Sequence, residues 1–408
     1  MSFACYYYPK PRCFFSGERK VTKRTALLAG ITAASFAAIP VSSFAEDAPA
    51  AAPAAAGSPL AKLLDASGIA VTSYVDLAYS HASKNIETGS SDRVFDSQND
   101  SITLHQAALQ IAKQPKEGFG GLVNFTAGKD VPVFASYPYA NGSSQFDVTQ
   151  AYGQYAKGAM TVIAGKFTTL QGTEVIWAPS NSNYSRSILF GAIPFTHTGV
   201  RTTYVVSDAV SVIGGVNNGW DQLSDANRTK TLEFGLVYTP SKAVTVTASD
   251  YVGKESAAVY GAPSSSATQG ERNSFNLVVA YTVSDPLSLG FEYLNVSQGN
   301  FTSMVDGSTI KAKYEGYAGY LTYLFTPEYK LALRAESLND KDGFHFGTVA
   351  TKYSEFTATF SYLASDNFEL RGEVRADKST NPYFASMNST AMTGKSLVTY
   401  GIEGLFKF

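Results

Sequence analysis

The sequence of 408 residues has few cysteines and, in its body, no long apolar run. It contains 2 Cys, 2 Trp and 5 Met, and its mean hydropathy is −0.07. Beyond the N-terminal region no uncharged apolar run of about 18 residues occurs, which excludes helical membrane spans. Transmembrane β-barrels escape that test because their strands alternate apolar and polar residues. Cys5 and Cys13 precede the expected mature chain, so we expect no disulfide, thiol nucleophile or cysteine metal site there.

The N-terminus has the pattern of an export signal. Basic residues precede an apolar stretch over 25–39, and small residues before Glu46 suit cleavage at that point. We therefore predict a signal peptide over residues 1–45, which would direct the chain to the cell outer membrane. Residues 1–20 fit a signal peptide poorly, and one hypothesis is an over-extended start, with Val21 as the true initiator.

The segment after the predicted cleavage point is rich in Ala and Pro. Residues 46–67 have too few large apolar side chains to form a core at their start, and we predict a flexible periplasmic leader. Removing residues 1–45 leaves 26 basic and 33 acidic residues, so the net charge of the mature chain is −7. An acidic chain argues against nucleic acid as a partner.

From residue 68 onward, stretches of alternating apolar and polar residues are separated by turn signals. Short turns alternate with long segments throughout, and together they separate about sixteen strands. The short turns lie at 114–117, 157–158, 207–208, 239–242, 284–286, 326–328 and 365–367; the long segments lie near 83–100, 129–144, 169–195, 218–229, 254–270, 298–311, 340–350 and 378–394. This alternation predicts an all-β fold over 68–408: a transmembrane, antiparallel, up-and-down β-barrel with short periplasmic turns and long extracellular loops.

The two faces of single strands support the barrel. Over 368–377, five charged residues lie on one face and five apolar or small residues on the other. Charged residues at consecutive positions of a face indicate a water-filled lumen, whereas the apolar face indicates lipid or a core. We expect a transverse field from lumen charges at Glu292, Arg334, Glu336, Glu369, Arg371, Glu373 and Arg375, with Arg201 and Glu174 adding to it.

The last predicted strand carries the most specific signal. Tyr400, Ile402, Phe406 and Phe408 share one face, and this aromatic alternation resembles the signal read by the outer-membrane barrel-assembly machinery. A closing strand must also pair with the first strand, because an open edge in lipid leaves backbone groups unsatisfied.

The segment over 169–195 departs from the pattern, since it is the longest and least polar of the predicted loops. By strand count it joins strands five and six, where the corresponding loop of general 16-stranded porins folds into the barrel and narrows the pore. On this reading the pore constriction is formed by Glu174, Asn181, Asn183, Arg186 and Arg201, while Trp177, Ile188, Leu189 and Phe190 pack on the inner wall. The alternative is a surface loop packed on its neighbours or at a subunit contact.

The same segment carries a family resemblance. Its features are Gly165-Lys166-Phe167, Gly172-Thr173-Glu174, the run from Asn183 to Ser187, and the run from Pro194 to Arg201. Together with the terminal strand and the hairpin spacing, they resemble the porin family known as putative β-barrel porin family 2, the OmpL-like porins. The resemblance implies an outer-membrane porin-like barrel and carries over no ligand residues.

The expected function is therefore a channel for passive diffusion of small hydrophilic solutes. The four histidines His81, His105, His197 and His345 form no helical pair, and no HExxH or lipase-type GxSxG occurs, so we expect no enzyme, cofactor or metal. The expected partners are outer-membrane lipid and lipopolysaccharide, the barrel-assembly machinery and the solutes, with a homotrimer or a monomer left open. Two alternatives remain: a plugged barrel acting as an adhesin or structural protein, and a barrel hydrolase with His near Ser or Asp.

Overall fold

The computed structural model describes residues 64, 66–86, 93–138, 144–257, 268–386 and 391–408. The predicted signal peptide over 1–45 and the start codon hypothesis at Val21 lie outside the described residues. The same holds for nearly all of the predicted leader over 46–67.

Sixteen strands form one closed antiparallel barrel, in which each strand pairs with its neighbours in sequence and the last pairs with the first. The predicted all-β barrel of about sixteen strands is therefore confirmed. The strands are β1 (Ala70–Ala82), β2 (Ser101–Lys113), β3 (Gly118–Ala127), β4 (Phe146–Lys157), β5 (Met160–Thr168), β6 (Thr196–Ser207), β7 (Val210–Asn217), β8 (Thr231–Ser241), β9 (Val244–Ser256), β10 (Gln269–Ser284), β11 (Leu287–Thr302), β12 (Thr309–Thr326), β13 (Tyr329–Asp340), β14 (Thr351–Ser365), β15 (Phe368–Ser379) and β18 (Ser396–Lys407).

The connections between strands alternate between short and long around the barrel. Seven short turns join β2 to β3, β4 to β5, β6 to β7, β8 to β9, β10 to β11, β12 to β13 and β14 to β15. The long connections contain the remaining elements. These are α1 (Val131–Phe134), a 3₁₀ turn (Ala178–Ser180), α2 (Ile188–Gly191) and a small sheet of β16 (Phe384–Ala385) with β17 (Met392–Gly394). No helix among the described residues is long and apolar enough to cross a membrane.

Strand β18 closes the barrel by pairing with β1 on one side and β15 on the other. On β18 the outward residues Tyr400, Ile402 and Phe406 are exposed, as is Phe408 just after the strand, whereas the intervening Glu403 and Leu405 are buried. The strand thus has the two faces expected of a barrel in lipid, where apolar side chains point outward. Its recognition by an assembly machinery stays a prediction.

The barrel wall is uneven in height. Strands β3, β5 and β7 have 10, 9 and 8 residues, whereas β10, β11 and β12 have 16, 16 and 18. The connections over 128–145 and 169–195 leave from β3 and β5 of the short side. Both connections therefore begin well below the upper edge of the tall side, and at that height they can turn into the barrel.

Most of the apolar core lies inside the barrel rather than between sheets. In one of five clusters among the described residues, Ile188, Leu189 and Ile193 pack against inward side chains of β11 to β14, such as Leu294, Tyr314, Leu338 and Tyr353. A second cluster joins three connections and consists of Phe95, Val131, Phe134, Ala135, Ile176, Phe190 and Phe195. The long segments near 83–100 and 129–144 are predicted to be extracellular loops, yet their Phe95, Val131 and Phe134 are buried.

Candidate functional site

Residues 169–195, named here the inner loop, lie within the ring of strands. Gln171 donates from Nε2 to the Ser274 carbonyl on β10 at 2.7 Å, and Asn183 donates from Nδ2 to Thr359 Oγ1 on β14 at 2.7 Å. The Ala178 amide donates to the Tyr74 hydroxyl on β1 at 3.3 Å. Because these strands lie on different sides of the closed barrel, the loop can reach all of them only by crossing the interior.

Carboxylates of the barrel wall hold the backbone of the inner loop. Glu336 accepts hydrogen bonds from the amides of Ile188 and Leu189 at 2.7 and 3.1 Å. Glu373 accepts from the amides of Tyr184 and Ser185 at 2.7 and 3.0 Å. Irregular backbone buried away from water must find such partners, since an unpaired buried amide destabilises the fold.

Glu292 completes this set on β11. It accepts from the Thr173 amide at 2.9 Å and from Asn276 Nδ2 at 2.9 Å. The loop is therefore fastened near its beginning, in its middle and at α2 by three different wall strands.

Arg334 on β13 is the centre of the ionic contacts. Its guanidinium contacts Glu174 of the inner loop at 2.6 Å, Glu355 of β14 at 2.7 Å and the Ser185 carbonyl at 2.7 Å. The Arg334 side chain is fully buried. A buried cation with this many acceptors is satisfied, but removing one partner of such a group costs about 3–5 kcal/mol.

A second ionic network runs along β15. Arg371 pairs with Glu369 at 2.8 Å and with Glu403 of β18 at 3.0 Å, and Glu369 also pairs with Lys330 at 2.9 Å. Arg375 pairs with Asp377 at 2.9 Å and donates to the Arg186 carbonyl of the inner loop at 2.6 Å. Seven of the charged, inward side chains of β13, β14 and β15 are named here the charged wall. They are Arg334, Glu336, Glu355, Glu369, Arg371, Glu373 and Arg375.

The predicted lumen charges thus occur on the inward face, but their surroundings differ from the expectation. We expected them to face a water-filled lumen, whereas Glu292 and every member of the charged wall are buried and bonded to other protein groups. The physical reason is the inner loop, which covers the charged wall and supplies its backbone amides, carbonyls and Glu174 as partners.

The five predicted constriction residues separate into three groups. Glu174 contacts Arg334 of the charged wall, and the Asn183 carbonyl accepts from Arg371 of the same wall at 3.4 Å. Asn181 braces the loop internally, because its side chain accepts from the Val175 amide and donates to the Val175 carbonyl. Arg186 also stays within the loops, where its guanidinium lies 5.3 Å from the Phe95 ring centre and 5.9 Å from that of Phe190.

Arg201 lies on the wall of β6, away from these contacts. It pairs with Glu233 of β8, with Nη2 and Oε2 2.9 Å apart, and its guanidinium covers the Phe167 ring at 4.3 Å. Of the five residues, Arg201 is therefore the one that the structure anchors to the strands on both sides of it rather than to the charged wall.

Two wall glycines make room for side chains of the inner loop. A Cβ at Gly401 of β18 would lie 2.8 Å from the Tyr184 ring, and one at Gly316 of β12 would lie 2.9 Å from Leu189 Cδ1. Such approaches are closer than ordinary carbon contacts. The sequence of the wall is thus fitted to the loop at both ends of the Tyr184–Leu189 segment.

Several residues of the site were missed by sequence reasoning. Arg93, in the connection after β1, pairs with Asp377 at 2.6 Å and donates to Thr399 at 2.7 Å. His105 lies between Asp130 at 2.9 Å and the Tyr184 hydroxyl at 3.1 Å. Glu355 and Glu403 could have been found from their inward positions on alternating strands; Arg93 and Asp130 belong to long connections, where alternation gives no signal.

The alternative of a barrel hydrolase, considered above, requires a histidine near a serine or an aspartate. His105 is buried and both of its ring nitrogens are taken, by Asp130 and Tyr184. His81 contacts Asp100 at 2.7 Å at an exposed strand end, and Tyr79 donates to the same Asp100 oxygen. Within the part of the chain that the structure describes, no group of three or more His, Cys, Asp or Glu residues is placed to hold a metal ion.

One carboxyl group at the end of the inner loop has a shifted titration. Asp221, in the connection after β7, accepts hydrogen bonds from the amides of Phe195 and Thr196, both at 2.8 Å. Burial raises the pKa of Asp221 to about 7, although both amides and the nearby Lys166 act to lower it. The anchor of the loop end at Asp221 is therefore expected to change charge near neutral pH.

Comparison with known proteins gives one family and several solved structures. The family model described as putative beta-barrel porin-2, OmpL-like, matches residues 68–408. The outer membrane channel DcaP of Acinetobacter baumannii is 14% identical, with a TM-score of 0.56, over 83% of this chain and 97% of that chain. No curated protein matches the sequence.

Two further structures share the fold. The anion-selective porin from Comamonas acidovorans is 10% identical, with a TM-score of 0.57, over 83% of this chain and 99% of that chain. A trimer form of OmpT of Vibrio cholerae is 11% identical, with a TM-score of 0.54, over the same shares. At these identities the likeness concerns the fold alone, and it extends over nearly the whole length of each of these proteins.

Proposed function

Because this chain belongs to the putative beta-barrel porin-2, OmpL-like family, we propose that it forms an outer-membrane channel for the passive diffusion of small hydrophilic solutes. The channel is narrowed by the inner loop, and no energy source is needed. Solutes are selected by size and by the polar groups that line the passage.

The observation that carries this proposal is the uneven attachment of the inner loop to the barrel wall. Its ionic contacts and most of its backbone contacts are to the charged wall and to β10 and β11. On the opposite side a cavity lies between the inner loop and the wall. Its wall side is formed by Asn124 and Thr126 of β3 and by Thr149 and Gln150 of β4. We name these four residues the amide–hydroxyl wall, and we propose that the solute path runs between this wall and the inner loop.

Single-channel recording in planar bilayers tests the proposal. The purified, folded, heat-modifiable protein should give stepwise, ohmic conductance without a ligand or an energy source. A protein that is folded by the heat-modifiability test and gives no channels over many insertions would contradict the channel while leaving the barrel in place.

The inner loop as the narrowing element has its own test. Removing residues that only brace the loop internally, as in Asn181→Ala, should raise the conductance because the loop loses contacts to the Val175 backbone and the Trp177 carbonyl. Asn217→Ala serves as a matched control, since Asn217 is a buried asparagine of β7 outside the loop. Equal conductance changes in both variants would argue against narrowing by the loop.

We further propose a homotrimer in outer-membrane lipid and lipopolysaccharide, inserted by the barrel-assembly machinery through the terminal strand. Support comes from the trimer form of the structurally similar OmpT and from the outward row of Tyr400, Ile402, Phe406 and Phe408. Light scattering of the detergent-solubilised protein should give three copies per particle. Phe408→Ala should reduce the amount of folded barrel in the membrane, whereas Phe325→Ala, at an exposed aromatic elsewhere on the barrel, should not.

A second candidate, a plugged barrel serving as an adhesin or structural protein, is favoured by the pairing of the charges. Glu369, Arg371 and Arg375 all have oppositely charged partners, and three connections meet in the apolar cluster around Phe190. The conductance experiment separates the two candidates, because a plugged barrel conducts only after the inner loop is released.

A further inference from the structure

The cavity beside the inner loop differs chemically from the rest of the barrel interior. Its volume is about 90 Å³, which is room for several water molecules or one small solute. Its lining comes from the amide–hydroxyl wall, from Tyr74 of β1, and from residues 169–177 with Phe190 and Phe195. A solute on the proposed path must pass this lining.

The lining offers no free charge. Among the described residues that border the cavity, Glu174 is the only one with a formally charged side chain. Its carboxylate is already bound, by the Arg334 guanidinium at 2.6 Å and the Ser187 amide at 2.6 Å. An ionised solute bound in the cavity would therefore lose part of its hydration without gaining a counter-charge, so the lining favours neutral solutes at this position, whereas hydrated ions can pass beside it.

The lining does offer hydrogen bonds that the protein itself leaves open. Thr149 Oγ1 donates to Thr126 Oγ1 at 2.7 Å, and Thr126 Oγ1 donates to Asn124 Oδ1 at 3.3 Å. This chain of bonds fixes the Asn124 amide, whose Nδ2 has no partner among the described residues although Asn124 is 2% exposed. Trp177, on the loop side of the cavity, likewise has an indole N–H without a partner in the described part of the chain.

Aromatic rings face the same space. Tyr74 and Trp177 pack edge to face with ring centres 4.5 Å apart, and Phe190 and Phe195 lie 5.1 Å apart. A site with ring surfaces on one side and amide and hydroxyl groups on the other suits a molecule with apolar C–H faces and many hydroxyl groups around its edge.

We propose that this cavity is a binding subsite for a small, neutral, polyhydroxylated solute, which occupies it during passage. The proposal rests on the proposed channel function and adds a substrate class to it. Binding must be weak for the channel to release its solute, so a dissociation constant near the millimolar range is expected.

The chain offers a built-in probe for the test. Trp177 and Trp220 are its two tryptophans, and Trp220 lies outside the cavity lining. In the Trp220→Phe variant, the fluorescence of the folded full chain in detergent therefore reports on Trp177 alone. D-glucose, D-gluconate and D-glucosamine are titrated in parallel, because they are similar in size and differ in charge.

A saturable change with D-glucose, and none with D-gluconate or D-glucosamine over the same range, is the expected result. Asn124→Leu should weaken D-glucose binding about fivefold, the effect of one lost hydrogen bond. Thr149→Val should also weaken it, whereas Thr247→Val should not, because Thr247 is a buried inward threonine of β9 that does not border the cavity.

No saturable response to D-glucose, or equal responses to the charged analogues, would overturn the proposal, as would equal weakening by Thr149→Val and Thr247→Val. Bilayer recordings on the same preparation separate the two claims. Channels without a glucose response would overturn the subsite and leave the channel standing. A saturable glucose response in a protein that forms no channels would support the subsite and contradict the channel.

Discussion

The two sides of the barrel interior are built from different chemistry, although the same alternation of inward and outward residues produces both. The charged wall carries four carboxylates and three guanidinium groups, all buried and bonded to one another or to the inner loop. The amide–hydroxyl wall carries Asn124, Thr126, Thr149 and Gln150 and borders a cavity. The charges of this barrel therefore fasten a loop, and the neutral groups border the cavity beside it.

This contrast shows why a charge on the inward face of a barrel strand does not by itself define a charged passage. A buried ion pair gains little net stability over apolar packing, but it fixes geometry, because any misplacement leaves a charge unpaired. On that account the charged wall sets the position of the inner loop, and the amide–hydroxyl wall sets which solutes fit beside it.

The largest effect is expected from breaking the centre of the charged wall. Arg334→Met leaves Glu174 and Glu355 without their shared cation, so the free energy of unfolding should fall by about 3–5 kcal/mol, with a release of the loop. The midpoint of heat modifiability and the single-channel conductance measure the two consequences. The double variant Glu174→Gln, Arg334→Met should recover part of the lost stability; no recovery would show that the ion pair is not what holds the loop.

A smaller effect is expected when one carboxylate is added to each side of the interior, and the two sides should respond differently. Asn124→Asp places a carboxylate beside the proposed path and should shift the cation-to-anion permeability ratio about fivefold, since one charge at a few ångströms in water contributes about 1 kcal/mol. Asn183→Asp, at a buried asparagine bonded to Thr359, should change stability more than selectivity. Reversal potentials in a salt gradient compare them, and an equal shift in both variants would erase the distinction between the two sides.

A pH-dependent effect is expected at the end of the inner loop, where Asp221 accepts from its last amides. Burial raises its pKa to about 7 in the fold, against about 3.9 in an unfolded chain. Its contribution to stability is therefore complete below about pH 4 and is lost as the pH rises through about 7. The heat-modifiability midpoint should fall over this range more in the native chain than in Asp221→Asn, which keeps an acceptor for the Phe195 and Thr196 amides. Parallel pH profiles would contradict this assignment.

The strands were predictable from the sequence because barrel strands repeat every two residues and each turn is local. The inward side of Glu369, Arg371, Glu373 and Arg375 follows directly from that alternation. Their partners were not predictable, since Glu174 and Arg334 are brought together only by the path of the inner loop. Alternation gives the face of a residue, and it gives no distance across the interior.

Two other long connections, near 83–100 and 129–144, also contain apolar residues that indicate burial. Val94-Phe95 and the stretch Val131-Pro132-Val133-Phe134 are apolar residues in segments otherwise treated as polar loops, and Phe95, Val131 and Phe134 are buried with Phe190. An apolar run in a nominally exposed loop is unusual, and on that ground only the inner loop was predicted to fold into the barrel. The apolar residues of the two other connections predict buried side chains there as well, as found for Phe95, Val131 and Phe134.

Cysteine accessibility on the two sides of the interior tests the central claim most directly. With Cys5 and Cys13 replaced by serine, Thr149→Cys on the amide–hydroxyl wall and Thr359→Cys behind the inner loop can each be the single thiol of the protein. A neutral, polar methanethiosulfonate added during bilayer recording should reduce the current through Thr149→Cys and leave Thr359→Cys unchanged. Block at Thr359→Cys without block at Thr149→Cys would place the passage on the other side of the loop and contradict the account.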